Sequence, residues 1–129
     1  MGVNAMTSWL LVALGGALGA AGRYGLSLLP WQGSFPLLTL LTNFLGAAAI
    51  GFLSGLFSRQ LLGEGGRLFW QTGVCGGFTT FSTFSLETVS LLQGGKYLLG
   101  GAYALSSVLL CLAGVLLGQT LARLAVRAG

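Results

Sequence analysis

Four long apolar stretches, at about 5–28, 36–58, 68–93 and 98–122, take up most of the chain, and its charged residues fall mainly near their ends. A hydrocarbon core about 30 Å thick needs roughly 20 apolar residues per helical span. A chain of 129 residues therefore holds four or five spans and leaves no room for a soluble domain. Irregular backbone cannot face lipid, because each unpaired amide there costs several kcal/mol, so the stretches must be helices. The residue alternation that a membrane barrel needs is absent. Only 6% of residues are charged and 54% are hydrophobic, against about 25% charged in an average soluble domain. The 23 glycines lie mostly inside the apolar runs. The spacings Gly15-Gly19, Ala47-Gly51-Gly55 and Gly114-Gly118 lay small-residue grooves along single helix faces and predict close helix packing.

The links carry turn chemistry: PWQGSFP between Pro30 and Pro36, Gly-Glu-Gly-Gly at 63–66 and Gly94-Gly95-Lys96. The first apolar run has no Lys or Arg before it, so it lacks the basic start of a signal peptide and reads as a retained helix. With the N-terminus inside, Arg59, Arg67, Arg123 and Arg127 fall on the cytoplasmic side and Arg23 and Lys96 on the other. That is a weak positive-inside bias, compatible with insertion in both directions. Cys75 and Cys111 are too far apart for a CxxC site and read as reduced, small apolar residues.

Polar side chains at membrane depth are costly and usually face a bundle interior or a water-filled path, so they are the informative positions. The second stretch holds Thr39, Thr42 and Asn43. Asn43 either makes an interhelical hydrogen bond or donates to a passing anion, and the threonines either do the same or bond their own helix. In the fourth stretch Tyr103, Ser107 and Cys111 follow at steps of four, with Ser106 alongside. They form a ladder of weak donors for a dehydrating anion, or a packed face with local back-bonding. Glu64 reads as a solvated link residue. Glu87 is open between a wet vestibule, a basic partner and the membrane interface. Arg23 either snorkels to headgroups or attracts anions to a vestibule.

The segment Cys75–Ser85, CGGFTTFSTFS, departs most from an ordinary membrane helix. Gly76-Gly77 followed by Thr79-Thr80 predicts a broken helix, the glycines weakening the first half and a threonine capping the second. Such a break frees carbonyls on one side, suited to a cation, and amides on the other, suited to an anion. Phe81 and Phe84 share a face beyond it, with Ser82 and Thr83 between them. Positive ring edges can hold an anion without the grip of a full charge, or the rings can simply pack.

Three stretches, GGALGAAGRY at 15–24, TLLTNFLG at 39–46 and GVCGGFTTFSTFS at 73–85, closely resemble the signatures of the fluoride channel family called Fluc or CrcB, and the resemblance covers essentially the whole chain. It implies an all-α integral membrane protein of the cell membrane, with four transmembrane helices of which the third is broken mid-membrane. It further implies an antiparallel, dual-topology homodimer with two fluoride pores and a structural Na⁺ at its centre. By this resemblance backbone carbonyls of Gly76 and Thr79 hold the sodium. Asn43, Phe81, Phe84, Tyr103 and Ser107 line the fluoride path, with Ser82 and Thr83 beside them and Arg23 and Glu87 as candidate vestibule residues. Cys111 departs from the pattern where a hydroxyl is expected.

Two rivals belong to other classes. A small dual-topology multidrug exporter relies on a carboxylate in its first span, and this first span has none. A non-transporting scaffold subunit leaves the hydroxyl and phenylalanine register unexplained. With no histidine and two carboxylates, neither a Ser-His arrangement nor a metal-ligand cluster of side chains can be assembled, which argues against an enzyme. Nucleic acid is not an expected partner, because the net charge of +4 is dispersed over helix ends.

Overall fold

The computed structural model describes residues 2–129 and contains helices and no strand among them. Helix α1 (Ala5–Ser27) starts at Asn4, whose side chain accepts the Thr7 N–H at 2.8 Å, an N-cap that occupies an otherwise orphan amide. Helix α2 spans Leu37–Phe57. Helix α3 runs continuously through Glu64–Gly66, a π-wound segment Arg67–Cys75, and Gly76–Phe78. Helix α4 (Phe81–Gln93) follows after two extended residues, and α5 (Tyr97–Ala128) closes the chain. Helices α1, α2 and α5 are each long and apolar enough to cross a membrane.

Two boundaries differ from the sequence expectation. Glu64, expected in a link, opens α3, where its carboxylate suits the positive end of the helix. The last helix continues past 122 to Ala128, through a run of good helix formers ending with Arg127 in the last turn, where a cation suits the helix dipole. The Gly94-Gly95-Lys96 link is a Schellman turn: Lys96 N–H reaches Leu91 O at 2.8 Å and Gly95 N–H reaches Leu92 O at 3.1 Å. Gly95 takes φ +79°, a left-handed conformation open to glycine at little cost. The end of α2 repeats this geometry with Leu61 N–H on Leu56 O and Gln60 N–H on Phe57 O, but there Gln60 carries the positive φ, 59°.

Packing is organised in two helix pairs, α2 on α5 and α1 on α3. The small-residue grooves lie at these seams. A methyl on Gly118 would strike the Ala48 carbonyl, and one on Gly51 the Val115 carbonyl. One on Gly19 would strike Val74 O, and one on Gly15 would strike Phe69 O, both in α3. The π-wound segment is thus the part of α3 seated on the glycine face of α1. The buried apolar set is small, namely Leu40, Ala47, Cys75, Tyr103 and Ala122. Large side chains such as Trp9, Leu18, Leu98, Leu105 and Leu116 point outward instead. Outward leucines around a core of small residues suit a lipid solvent, in which van der Waals packing and not water exclusion holds helices together.

Candidate functional site

The third apolar stretch breaks between α3 and α4 at Thr79-Thr80, just after the glycines, and a threonine caps the second half as the sequence predicts. Gly76 itself is helical, with φ −62° and ψ −39°. Gly77 serves packing, since a methyl there would strike the Gly16 carbonyl. The break has a different cause. Thr79 (ψ 154°) and Thr80 (φ −148°, ψ 110°) are extended, and Asn43 of α2 clamps the backbone of Thr80 from both sides. Asn43 Oδ1 accepts the Thr80 N–H at 2.8 Å, and Asn43 Nδ2 donates to Thr80 O at 3.0 Å. The amide side chain acts as a peptide group from another helix, satisfying both backbone groups of Thr80.

Thr80 then caps α4. Its Oγ1 accepts the Thr83 N–H at 3.2 Å and donates to Thr83 Oγ1 at 3.0 Å, while Ser82 Oγ lies 3.4 Å away. The break leaves three carbonyls without a donor among the described residues, those of Gly76, Phe78 and Thr79. In a continuous helix Thr80 N–H would bond Gly76 O and Thr83 N–H would bond Thr79 O. Both donors are diverted, so among the described residues neither carbonyl receives a hydrogen bond. Gly76 is exposed, with open space where a Cβ would stand. The next carbonyl, Gly77 O, is taken by Arg23 Nε at 3.2 Å, which places Arg23 at the break and not at the headgroups alone.

Two cavities meet at Thr80. The larger, about 370 Å³, is an open groove walled by α2, the break, α4 and α5. Asn43, Thr79, Phe81, Phe84, Ser107 and Cys111 line it, together with aliphatic side chains. The smaller, about 90 Å³, is lined by Arg23, Ser27, Leu38, Thr39, Thr42, Thr80 and Thr83 and is the more polar of the two. The Phe81 and Phe84 ring centroids are 5.5 Å apart at 48°, and Phe81 is 78% exposed. Phe84 leans on Tyr103 at 5.3 Å, and Phe35 meets the same tyrosine edge-on at 5.5 Å. Tyr103 is fully buried behind the groove wall, and among the described residues neither its hydroxyl nor that of the buried Ser107 has a partner. The ladder on α5 is therefore split: Cys111 and part of Ser107 line the groove, the Ser107 hydroxyl oxygen being buried, while Tyr103 supports Phe84 from behind.

Glu87, left open by the sequence, accepts a hydrogen bond from Thr39 Oγ1 at 2.6 Å. Thr42 bonds back to Leu38 O at 2.7 Å, and Ser106 to Tyr103 O at 3.2 Å, so these two hydroxyls serve their own helices. Sequence reasoning missed Thr80 as the hub of the site. The available signal was a threonine pair after a glycine pair, with one amide side chain in the preceding helix to hold it. Among the described residues no cluster of His, Cys, Asp or Glu offers a metal site, so a cation there would have to rely on backbone oxygens.

Comparison with known proteins shows the family. Residues 10–119 match the family model described as CrcB-like protein, Camphor Resistance (CrcB). A relative from Opitutus terrae, named fluoride-specific ion channel FluC, is 47% identical over 120 residues, covering 88% of this chain and 91% of its own. Proteins of the same name from Paramagnetospirillum magneticum and Pyrococcus abyssi are 45% identical over 123 residues (91% of this chain, 96% of theirs) and 46% identical over 124 residues (94% and 99%). With the model spanning most of its length and full-length relatives this similar, the chain belongs to the CrcB family.

Proposed function

We propose that the chain is a fluoride-selective channel that lets the anion leave the cytoplasm passively across the cell membrane and so lowers fluoride toxicity. One observation carries the reading: the two cavities converge on Thr80, where the amide end of α4 and the Phe81-Phe84 pair line one short stretch. The first amides of α4 lack helical acceptors and carry the positive end of its dipole. Ring edges add a weaker positive field. Together with the one Asn43 amide hydrogen not engaged at Thr80, these are hard, neutral donors, and Ser107 lies along the same wall. They can replace part of the water around a small anion without trapping it. The names of the full-length relatives support fluoride as that anion.

In this proposal α3 and α4 together form the third of four spans, with the break at mid-membrane. The working unit is an antiparallel homodimer of oppositely inserted copies. The carbonyls of Gly76 and Thr79, stripped of their helical donors on an open side of the subunit, would bind Na⁺ with the same pair from the second copy. Bound there, the cation supplies charge to four oxygens that lipid would leave unsatisfied, and it fastens the copies together. Arg23 holds the adjacent carbonyl and keeps the break in shape while facing the smaller cavity. Thr39 fixes Glu87 at the rim of the same path.

Fluoride efflux from proteoliposomes, read with a fluoride electrode, tests the channel. Wild type should empty the vesicles and Phe81→Ile should slow them strongly; equal rates in protein-free vesicles would refute the proposal. A reporter fused to the C-terminus should appear on both sides of the membrane, and its detection on one side only would refute the dual topology.

A further inference from the structure

Helices α2 and α5 run side by side in the same direction: Gly51 meets Val115, and Gly55 meets Ala122. That pairing brings the residues just beyond these contacts to one end of the subunit, Arg59 after α2 and Arg123 and Arg127 in the last turns of α5. The link after α2 turns at the same end into α3, where the Arg67 guanidinium lies over the Phe57 ring, 4.9 Å from its centroid. Helix α2 is 21 residues long, about 30 Å, so it just spans a hydrocarbon core and leaves these four arginines at headgroup depth on one edge. All four are exposed. The one side-chain hydrogen bond they make to the protein among the described residues is Arg123 Nη2 to Thr120 Oγ1, at 3.1 Å. The other two basic residues are engaged elsewhere, Arg23 on Gly77 O and Lys96, at the opposite end, on Ser34 Oγ. Glu64, at the start of α3, is the one acid at the arginine end.

We propose that this end of the subunit is a binding surface for anionic phospholipid, with headgroup phosphates on the guanidiniums and acyl chains on the apolar side chains beside them. The proposal goes beyond fluoride conduction and rests only on α2 crossing the membrane, for which it is long and apolar enough. A guanidinium offers five N–H donors in a planar fork that takes phosphate oxygens two at a time, and with so few protein acceptors here those donors stay available. Stacking on Phe57 holds the Arg67 fork in place before a lipid arrives. Charge selects the lipid class. Zwitterionic headgroups carry an ammonium that a group of cations repels, whereas anionic headgroups bring only the attractive charge. Leu61, Leu121, Leu124 and the half-exposed Trp70 lie within a turn of the arginines and give the acyl chains an apolar face. A soluble anion would gain nothing from that face.

The test is native mass spectrometry of the full chain from mixed micelles holding equal amounts of phosphatidylglycerol and phosphatidylcholine, reading the ratio of the two lipids retained per chain. Each cation close to an anionic surface contributes about fivefold in affinity at physiological salt. Wild type should favour phosphatidylglycerol at least about tenfold, and Arg59→Gln/Arg123→Gln/Arg127→Gln should lose most of that preference. Arg67 is left in place because it also packs on Phe57. Lys96→Gln removes one charge from the opposite end and should keep the wild-type ratio. Equal retention of both lipids by wild type, an unchanged ratio in the triple variant, or the same loss in Lys96→Gln overturns the proposal. Displacement of phosphatidylglycerol by millimolar inorganic phosphate also overturns it, since that would mark a site for free anions. If the triple variant does not fold, Arg59→Gln and Arg127→Gln should each lower the ratio by about twofold to fivefold, and no drop in either overturns the surface. The ratio is read without any fluoride flux, so a chain that conducts no fluoride refutes the channel reading and leaves this result standing.

Discussion

Replacing Asn43 by Ala should both destabilise the subunit and heal the break between α3 and α4. The substitution removes two hydrogen bonds and leaves Thr80 N–H and Thr80 O without partners. A buried polar group left unmade costs about 1–3 kcal/mol, and hydrogen bonds between membrane helices are individually worth about 0.6–2 kcal/mol. Two such losses give about 2–4 kcal/mol within the overlap of these ranges. Part of that is recoverable, because a freed Thr80 N–H can turn back to Gly76 O and continue the helix. Asn43→Asp separates the two contacts: it keeps an acceptor for Thr80 N–H and loses the donor to Thr80 O. Its destabilisation should fall between wild type and Ala once the added charge is allowed for. The assay is reversible unfolding in mixed detergent-lipid micelles, with backbone hydrogen exchange at Thr80 and Phe81 followed in parallel. If Asn43→Ala unfolds like wild type with unchanged exchange at Thr80, the clamp does not hold the break.

Other changes follow from the same geometry. Thr39→Val removes the hydroxyl that donates to Glu87 at 2.6 Å; it should slow fluoride efflux while Thr39→Ser restores it, and equal rates in both would show that Glu87 needs no fixing. Gly118→Leu drives a side chain into the Ala48 carbonyl at the α2–α5 seam. It should cost at least about 3 kcal/mol by overpacking, read as loss of folded protein in mixed-micelle unfolding. Gln60→Gly relieves a left-handed residue at the end of α2 and should add about 1 kcal/mol of stability in the same assay; no gain would mean that the Gln60 side chain compensates the strain.

The helical fold was legible in the sequence because bilayer thickness and backbone hydrogen bonding leave few choices for such apolar runs. The starts and ends of α1 and α2 lie within a residue of the expected ones, since Asn4, the prolines at 30 and 36 and the polar residues after Phe57 mark them. The seams were legible too, because glycine and alanine at four-residue steps have few uses on a lipid-facing helix. The break and its capping threonine were legible, but its cause was not. The glycines were expected to weaken the first half, but helical glycine is tolerated where it admits a neighbouring backbone, and Gly77 does so against Gly16. What holds Thr80 extended is a contact across 37 residues, from Asn43, that local pattern does not encode. The partner of Glu87 was hidden for the same reason, since its donor Thr39 is 48 residues away. Tyr103 had the spacing of a groove-lining rung, but ring packing with Phe35 and Phe84 decided its place.

The central claim is that hard, neutral donors around Thr80, Phe81 and Phe84 pass a small anion and refuse larger ones. Parallel efflux of fluoride and chloride from the same proteoliposomes tests it most directly. The account predicts rapid fluoride release from wild type with chloride retained, and sharply reduced fluoride release from Phe81→Ile. Chloride leaving as fast as fluoride would contradict it.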